Sequence, residues 1–563
     1  MSHTQTNGKF EQFVYEILEN KSKKLLVILI TLGSLIGSIM MFPTELVLAK
    51  MLPGKSTNTF TVYIDTPSGS SIEQTKSVAM CIQNVLKREP NIVDMELYLG
   101  MGSPLDYAGL VKGSGMKQGE EYGELVVNLT DKSQRDEESF LMVQRVRPII
   151  NNKCEKIVPQ TSIKMVEMPA GPPTLADIVV EVYGKDNQKV IALSNEVSQI
   201  LSKTSGLVDV DIMADEVYKK YQIIPIKDKI AKSGLSVEQV NKILYLAFEG
   251  MGIASKDTIK SNHQIDIFLS LSKDTKKIHA NTLEDLKAKL SSLNLMSRSG
   301  FMVPLIEVIE IKEATSIPTI YHKNLNTMVN VQATTDMVSQ VYPLLDAREQ
   351  MIEYFSKNYV VNKVAGISTY MFDLELKDKV TGESYLLRWD GEMKVTLDTF
   401  RDLGAAFIAA LLLIFLLLVV YYKSFAISGI VLAGSFLSII GVIIGHFVAD
   451  LVTQETFFLT ATSLIGFIAL MGISSRNSLL LIDFARNLIL EHHIEKKRAI
   501  AIASATRAKP IMLTAIAIIL GSALLASDPV FGGLGVALIS GTMAAVIVSL
   551  IFIPVLMDNS EAI

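Results

Sequence analysis

Residues 460–485 read "TATSLIGFIALMGISSRNSLLLIDFA", an apolar stretch long enough to cross a bilayer, with Arg476 near its middle and Asp483 two turns further on. A charge at the bilayer centre costs about 2.5–3.5 kcal/mol on insertion scales, so Arg476 requires a bundle interior, water or a carboxylate beside it. The run that contains it, Phe457–Ile482, is one of six with the length of a membrane span. The others are Leu25–Phe42, Ala405–Tyr422, Ile427–Val448, Ile511–Ala526 and Leu534–Leu556. Leu25–Phe42 is longer than the apolar core of a signal peptide, and no small-residue cleavage site follows it, so an uncleaved span is expected. Six spans crowd the two ends of the chain, and residues 43–400 between them have the polarity of an aqueous region.

Composition agrees with this division. Of 563 residues 49% are hydrophobic and 20% charged, with a mean hydropathy of +0.34, too apolar for a water-soluble chain and too mixed for an all-membrane one. A net charge of −5, with no phosphate-binding glycine loop and no zinc-type spacing, argues against nucleic acid as a partner. Basic residues cluster in "NKSKK" (20–24), at Lys423 and in "RNLILEHHIEKKRAIAIASATRAK" (486–509), whereas "ADLVTQET" (449–456) and "SDPVFGG" (527–533) carry none. By the excess of Lys and Arg on cytoplasmic flanks, both termini (1–24 and 558–563) are cytoplasmic and the large insert faces the periplasm of a two-membrane bacterium. Cys81 and Cys154 are the only cysteines; they suit one bridge in an oxidising compartment or two buried free thiols, and their spacing does not choose.

Within the insert, "TFTVYIDTPSGSSIEQTKSVAMCIQNVL" (59–86) predicts strand, turn and amphipathic helix, and "GELVVNLTD" (123–131) a further strand. The order recurs in "LADIVVEVYGKDNQKVIALSNEVSQILSKTSGLVDVDIM" (175–213), so the fold class expected is an α-helical polytopic protein carrying a duplicated α+β sandwich. A block of different pattern, about 224–325, interrupts the second copy, which "EQMIEYFSKN" (349–358) and "STYMFDLEL" (368–376) complete.

Around Arg476 the polar residues Ser474, Ser475, Asn477 and Ser478 gather, and Arg507 and Thr514, seven residues apart, share one face of the next span. Asp483 lies on the face of Arg476 but beyond easy direct pairing, and Asp402, Asp450, Asp528 and Asp558 all sit at span ends. His446 is either a titrating group or a satisfied interhelical bond. Seven histidines with no nucleophile–base arrangement leave no enzyme site.

The stretch 460–485, "RAKPIMLT" (507–514), "WDGEMKVTLDTFRDLGAAF" (389–407), "VEMPAGPPTLADIVVEVYG" (166–184) and "FMVPLIEVIEI" (301–311) resemble the C-terminal half of resistance-nodulation-division (RND) efflux transporters of the hydrophobe/amphiphile class. The resemblance covers nearly the whole chain and implies two ferredoxin-like porter subdomains, at 57–170 and at 171–223 with 326–395, and a docking insertion at 224–325. It implies a proton-relay set of Arg476, Asn477, Arg507, Thr514 and Asp483, driven by the proton motive force without a cofactor. Two departures stand out. The family usually carries two six-span repeats in one polypeptide, and this sequence resembles the repeat that lacks the proton-binding aspartate pair. The family's relay lysine corresponds to Arg476, whose guanidinium stays charged and so serves as a fixed charge rather than a proton carrier.

The expectation is therefore a half-transporter of a multidrug or amphiphile pump in the inner membrane. Its implied partners are a separate N-terminal half with paired aspartates, a periplasmic adaptor and an outer-membrane channel, in a trimeric assembly. Protein-export accessory subunits of the SecD/SecF type share the topology, but their acidic fourth-span motif is replaced here by "SSRNS" (474–478); an inactive half of a broken transporter is the third reading. For cargo, Met95, Met101, Tyr98, Phe140, Met165 and Met168 are candidate cleft residues, since thioethers line greasy clefts and also bind soft metal ions.

Overall fold

A computed structural model describes residues 8–54, 56–104, 109, 117–167, 171, 174–259, 264–270, 282–336, 339–364, 369–453 and 456–561. The chain divides into two compact units: residues Met1–Ala214 with Ile320–Ile563, and Asp215–Thr319. The first begins with the amphipathic α1 (Lys9–Glu19), whose Val14, Ile17 and Leu18 are buried, and α2 (Lys21–Met40), capped by the Asn20 side chain accepting from Ser22 N.

Strands β1 (Thr59–Asp65), β2 (Ile92–Met101), β3 (Gln118–Leu129) and β4 (Ser162–Glu167) form an antiparallel sheet in the order β2-β3-β1-β4. Helices α3 (Ile72–Leu86) and α4 (Ser139–Cys154) connect its strands in β-α-β-β-α-β order, the split-βαβ plan. Alternation sends Phe60, Val62, Ile64, Leu125 and Val127 to one face, where Val78, Ile82, Val146 and Ile150 of the helices cover them. Cys81 and Cys154, on α3 and α4, are joined by a disulfide across that helix pair, with Cα atoms 5.7 Å apart. Of the two readings that the spacing left open, the bridge is the one formed.

A second sandwich starts with β5 (Ile178–Tyr183), α5 (Asn187–Lys203) and β6 (Leu207–Ile212). The other compact unit follows, built from β7 (Lys219–Pro225), α6 (Lys227–Lys232), α7 (Val237–Phe248), β8 (Met251–Lys256), β9 (Ile265–Leu269), α8 (Leu283–Ser291), β10 (Asn294–Met296), β11 (Met302–Pro304) and β12 (Ile309–Thr315). In it β7 pairs with β12 over seven residues and Ile230, Val240, Leu286 and Leu305 form the core. The second sandwich resumes with β13 (His322–Lys323), β14 (Asn326–Thr335), α9 (Val341–Phe355), β15 (Tyr359–Lys363), β16 (Leu374–Asp378) and β17 (Ser384–Asp390). Its sheet runs β13-β14-β5-β17-β16-β15, with β6 also on β14.

From β17 the chain passes straight into α10 (Glu392–Tyr422). Gly391 makes this corner at φ +87°, where a Cβ would stand 2.6 Å from Ala176 O, so any side chain is excluded. Glu392 N and Met393 N donate to Ala176 O and Asp177 O, tying the helix start to the second sandwich. The remaining helices are α11 (Phe425–Leu437), α12 (Ile439–Val452), α13 (Ala461–Leu490), α14 (Lys496–Ala526), α15 (Gly532–Ile547) and α16 (Ile553–Asn559). Among the described residues six helical segments are long and apolar enough to cross a membrane: Lys21–Met40, Glu392–Tyr422, Phe425–Val452, Ala461–Leu490, Lys496–Ala526 and Gly532–Asn559.

These segments overrun the apolar runs of the sequence because polar turns continue the helices past the hydrocarbon. Two boundaries move the other way: α2 ends at Met40 rather than Phe42, and α13 starts later than its apolar run. Phe457–Leu459 are not helical: Leu459 bridges Ala49, and Thr460 caps α13 by accepting from Ser463 N, so the local hydroxyl starts the helix later than hydropathy does. At the opposite end, Val14, Ile17 and Leu18 of α1 pack with Leu488, Ala499 and Met557, and Lys24 pairs with Asp558 at 2.7 Å.

With the two cysteines 73 residues apart, the disulfide stabilises the first sandwich by about 4 kcal/mol in the chain-entropy account. Cys81→Ala with Cys154→Ala should therefore shift denaturant unfolding of the sandwich by that amount, and a shift near zero would mean the helix pair is held without it.

Candidate functional site

Helix α13 has two unlike faces. Ser474, Ser475, Asn477 and Ser478 are buried within the bundle, where Ser474 donates to Gly434 O at 3.3 Å and the Ser475 and Ser435 hydroxyls bond at 2.8 Å. Ile465, Ala469, Gly472, Arg476 and Leu480, spaced by three and four, are exposed along the other face. Ala469 and Gly472 leave that face shallow, and a Cβ on Gly472 would meet nothing within 4 Å. Among the described residues no carboxylate pairs with Arg476. Asn477, expected beside it in the relay, points into the bundle instead, because successive helical positions diverge by about 100°.

Asp483 is engaged elsewhere. It accepts from Tyr422 Oη at 2.7 Å, and the Arg486 guanidinium stands 5.6 Å from the Tyr422 ring centroid. The arginine of α14, Arg507, lies 4.9 Å from the Phe484 ring centroid, with its Nε buried and without a hydrogen-bond partner among the described residues. Thr514 is exposed and donates to Ile511 O at 2.9 Å. Counting the helical rise from the α13–α14 turn, Arg476 stands about 21 Å along α13, and Arg507 and Thr514 about 17 and 27 Å along α14. Along the helix axes Arg476 thus stands between the heights of Arg507 and Thr514, and of the two arginines it is the exposed one.

The candidate cleft residues do not converge. Met165 is core on β4, Met95 is half-buried on β2, and these strands are the two edges of the first sheet, roughly 14 Å apart at the usual strand spacing. Met101 is exposed, Tyr98 donates to Glu96, and Met168 lies outside the described residues. Phe140 is elsewhere, lining a cavity of about 620 Å³ with Phe457, Phe458, Lys132, Glu138 and Asp528 where the span ends meet the first sandwich. Scattered single methionines could not reveal this from spacing, because sheet order separates what the chain brings near.

A charged seam that the sequence reading missed joins the two sandwiches. Arg147, buried on α4, donates to Asp336 at 3.0 Å and to Asp209 at 3.3 Å, and Lys164 of β4 bonds both Asp211 and Asp65. Burial alone would raise the Asp65 carboxyl, but Lys164 and Lys117 more than offset it and hold Asp65 below the usual range. Its stabilising share is thus complete above the unfolded pKa of about 4 and is lost as pH falls through the lower folded value. Asp65→Asn should lower porter stability near neutral pH and flatten its acid dependence; unchanged unfolding across the acid limb would show that the seam contributes nothing.

An apolar helical bundle carrying two α+β sandwiches, with a further unit inserted in the second, defines the porter class of membrane protein. The sequence profile of the AcrB/AcrD/AcrF family matches residues 2–558, and the chain belongs to that family, in keeping with its RND resemblance. It is 23% identical over 549 residues to the swarming motility protein SwrC of Bacillus subtilis (strain 168), covering 95% of this chain and 46% of SwrC. It is 22% identical over 389 residues to the cobalt-zinc-cadmium resistance protein CzcA of Cupriavidus metallidurans, covering 68% of this chain and 33% of CzcA. The fold is that of a heavy metal efflux pump solved by crystallography, at a TM-score of 0.70 and 17% identity, covering 98% of this chain and 52% of the other. The chain spans about half the length, or less, of each of these proteins.

Proposed function

We propose that this chain is one six-span repeat of a proton-driven RND-type efflux pump, paired in the membrane with a separate N-terminal repeat that supplies proton-binding aspartates. The observation that carries the reading is Arg476, a fixed cation at mid-span on a face of α13 that stays exposed among the described residues. An arginine left to lipid would cost several kcal/mol, and a facing pair of carboxylates removes that cost. The small residues Ala469 and Gly472 on the same face suit close helix approach.

In this mechanism the partner's carboxylates hold Arg476 while ionised. Protonation neutralises them, the guanidinium loses its counter-charge, and α13 shifts relative to the facing helix. Arg476 itself keeps its proton throughout. The movement reaches the porter region through α10, one continuous helix hydrogen-bonded at its start to the second sandwich. The disulfide supports a periplasmic position for the sandwiches, since such bridges persist in oxidising compartments. A periplasmic adaptor, an outer-membrane channel and a trimeric assembly complete the pump in this reading.

The cargo proposed is an amphiphilic small molecule, for which the cavity beside Phe140, Phe457 and Phe458 offers an apolar wall and a charged rim. Similarity to the cobalt-zinc-cadmium resistance protein CzcA and to a heavy metal efflux pump favours a second reading, a metal cation. Assays of cells with a fluorescent amphiphile and with cobalt, zinc and cadmium separate the two. Arg476→Ala should reduce export of the true cargo to background while leaving membrane insertion intact, and Arg476→Lys should retain part of it. Export by the alanine variant at the unmodified level contradicts the proposed role.

A further inference from the structure

His446 lies in α12, wholly buried, two turns from the porter-side end of its span. Its Nδ1 faces Val442 O at 2.8 Å, a carbonyl that only accepts, so Nδ1 carries a proton. Its Nε2 stands 2.8 Å from Ser463 Oγ at the start of α13. Ser463 Oγ is in turn 3.0 Å from Thr460 Oγ1, Thr460 Oγ1 is 2.8 Å from Thr462 Oγ1, and Thr462 donates to Val530 O at 3.3 Å. Thr460 lines the 620 Å³ cavity, whose rim includes Glu138 and Asp528. An unbroken run of hydroxyls thus leads from a buried imidazole to a polar-rimmed cavity at the span ends.

Gly533 of α15 shows that this run is given room. A Cβ there would stand 2.3 Å from Ser463 Oγ and 2.5 Å from Thr460 Oγ1, so the hydroxyls close over a bare backbone. Two arrangements satisfy every donor. With neutral His446, Ser463 donates to Nε2 and Thr460 donates to Ser463. With protonated His446, Nε2 donates to Ser463, Ser463 to Thr460, Thr460 to Thr462, and Thr462 to Val530 O.

We propose that His446 is a second proton-binding site of the membrane bundle, loaded from the porter-side cavity through Thr460 and Ser463. The step converts the first arrangement into the second. A hydronium in the cavity gives its proton to Thr460 Oγ1, the Thr460 proton passes to Ser463 Oγ, and the Ser463 proton passes to Nε2. One water is left in the cavity and one positive charge on the imidazole. That charge faces the N-terminal end of α13, which is itself partially positive, so loading repels the helix that carries Arg476.

The charged groups on the elements around the histidine are few. On α12 the nearest charged residue is Asp450, one turn on, whose Oδ1 accepts from Phe457 N at 2.7 Å. Among the described residues α15 has no charged residue, α2 has none beyond Lys24, the first half of α13 has none before Arg476, and residues 456–459 contribute the Phe457 ring at 5.6 Å. The segment after α2 carries Glu45 and Lys50, the latter 5.5 Å from the Phe458 ring centroid, and α10, whose Phe400 packs in the same cluster as Ile443, carries Asp398 and Asp402, both paired with Arg401. The inference deepens the proton-driven reading of the bundle and rests on it for its role in transport, although the binding of the proton is observable separately.

The test is ¹⁵N NMR of the histidine-labelled full chain in lipid nanodiscs, with the His446 signals assigned by their loss in His446→Gln. Over about pH 4–8, the range in which imidazoles titrate, the expected result is a neutral ring bearing its proton on Nδ1 that becomes doubly protonated on acidification. Ser463→Ala leaves the Nε2 proton without an acceptor, and should reduce the doubly protonated signal at matched pH at least about tenfold. Thr460→Ser should titrate as the unmodified chain does. A His446 that stays neutral throughout, or that titrates equally in Ser463→Ala, overturns the proposal. Export by a chain whose His446 never titrates would sink this site and leave the pump; a titrating His446 in a chain that exports nothing would do the reverse.

Discussion

A guanidinium cannot shed its charge at any pH a cell reaches, and hydrocarbon does not solvate it. In this protein that constraint falls on Arg476, near the middle of a 30-residue helix, facing outward between Gly472 and Leu480. Snorkelling would need a span end within reach of the side chain, and the residue is roughly two to three turns too deep for that. The acidic residue nearest along the helix, Asp483, is bonded to Tyr422. Among the described residues no carboxylate pairs with Arg476, and the proposed second repeat would supply one.

The buried side of the same helix has the opposite character. Its serines bond to α11, its N-terminal hydroxyls bond to His446, and Gly533 gives them space. One face thus fixes α13 within its own bundle by many short neutral bonds, and the other offers a single strong charge. In the proposed mechanism a change in charge at Arg476 or at the helix start would displace α13 as a unit, because packed helices shift rather than deform. The continuous α10, hydrogen-bonded at its start to the second sandwich, extends that mechanical path out of the membrane.

Much of this was legible in the sequence, and what was not has physical causes. Apolar runs announce helices of membrane length because the hydrocarbon thickness sets how many apolar residues are needed. Their ends were misplaced where a local hydroxyl, Thr460, caps the helix inside the apolar run. Arg476 stood out because a charge in such a run is costly, whereas its neighbour Asn477 gave no sign that it turns inward. The Cys81–Cys154 bridge depends on the packing of two helices 73 residues apart in sequence, which spacing cannot supply. The Arg147 and Lys164 ion pairs, and the hydroxyl run at His446, join segments distant in sequence through residue types that are common everywhere. The signal that would have found them is burial, which a sequence carries only indirectly.

The central claim is that a second repeat with carboxylates covers the Arg476 face. A photo-crosslinking residue placed at Gly472 or Leu480 in the full chain, activated in native membranes and followed by mass spectrometry of the adduct, tests it most directly. The account predicts an adduct with a membrane span that carries paired aspartates at the depth of Arg476. Adducts confined to lipid, or to other copies of this chain, would contradict it.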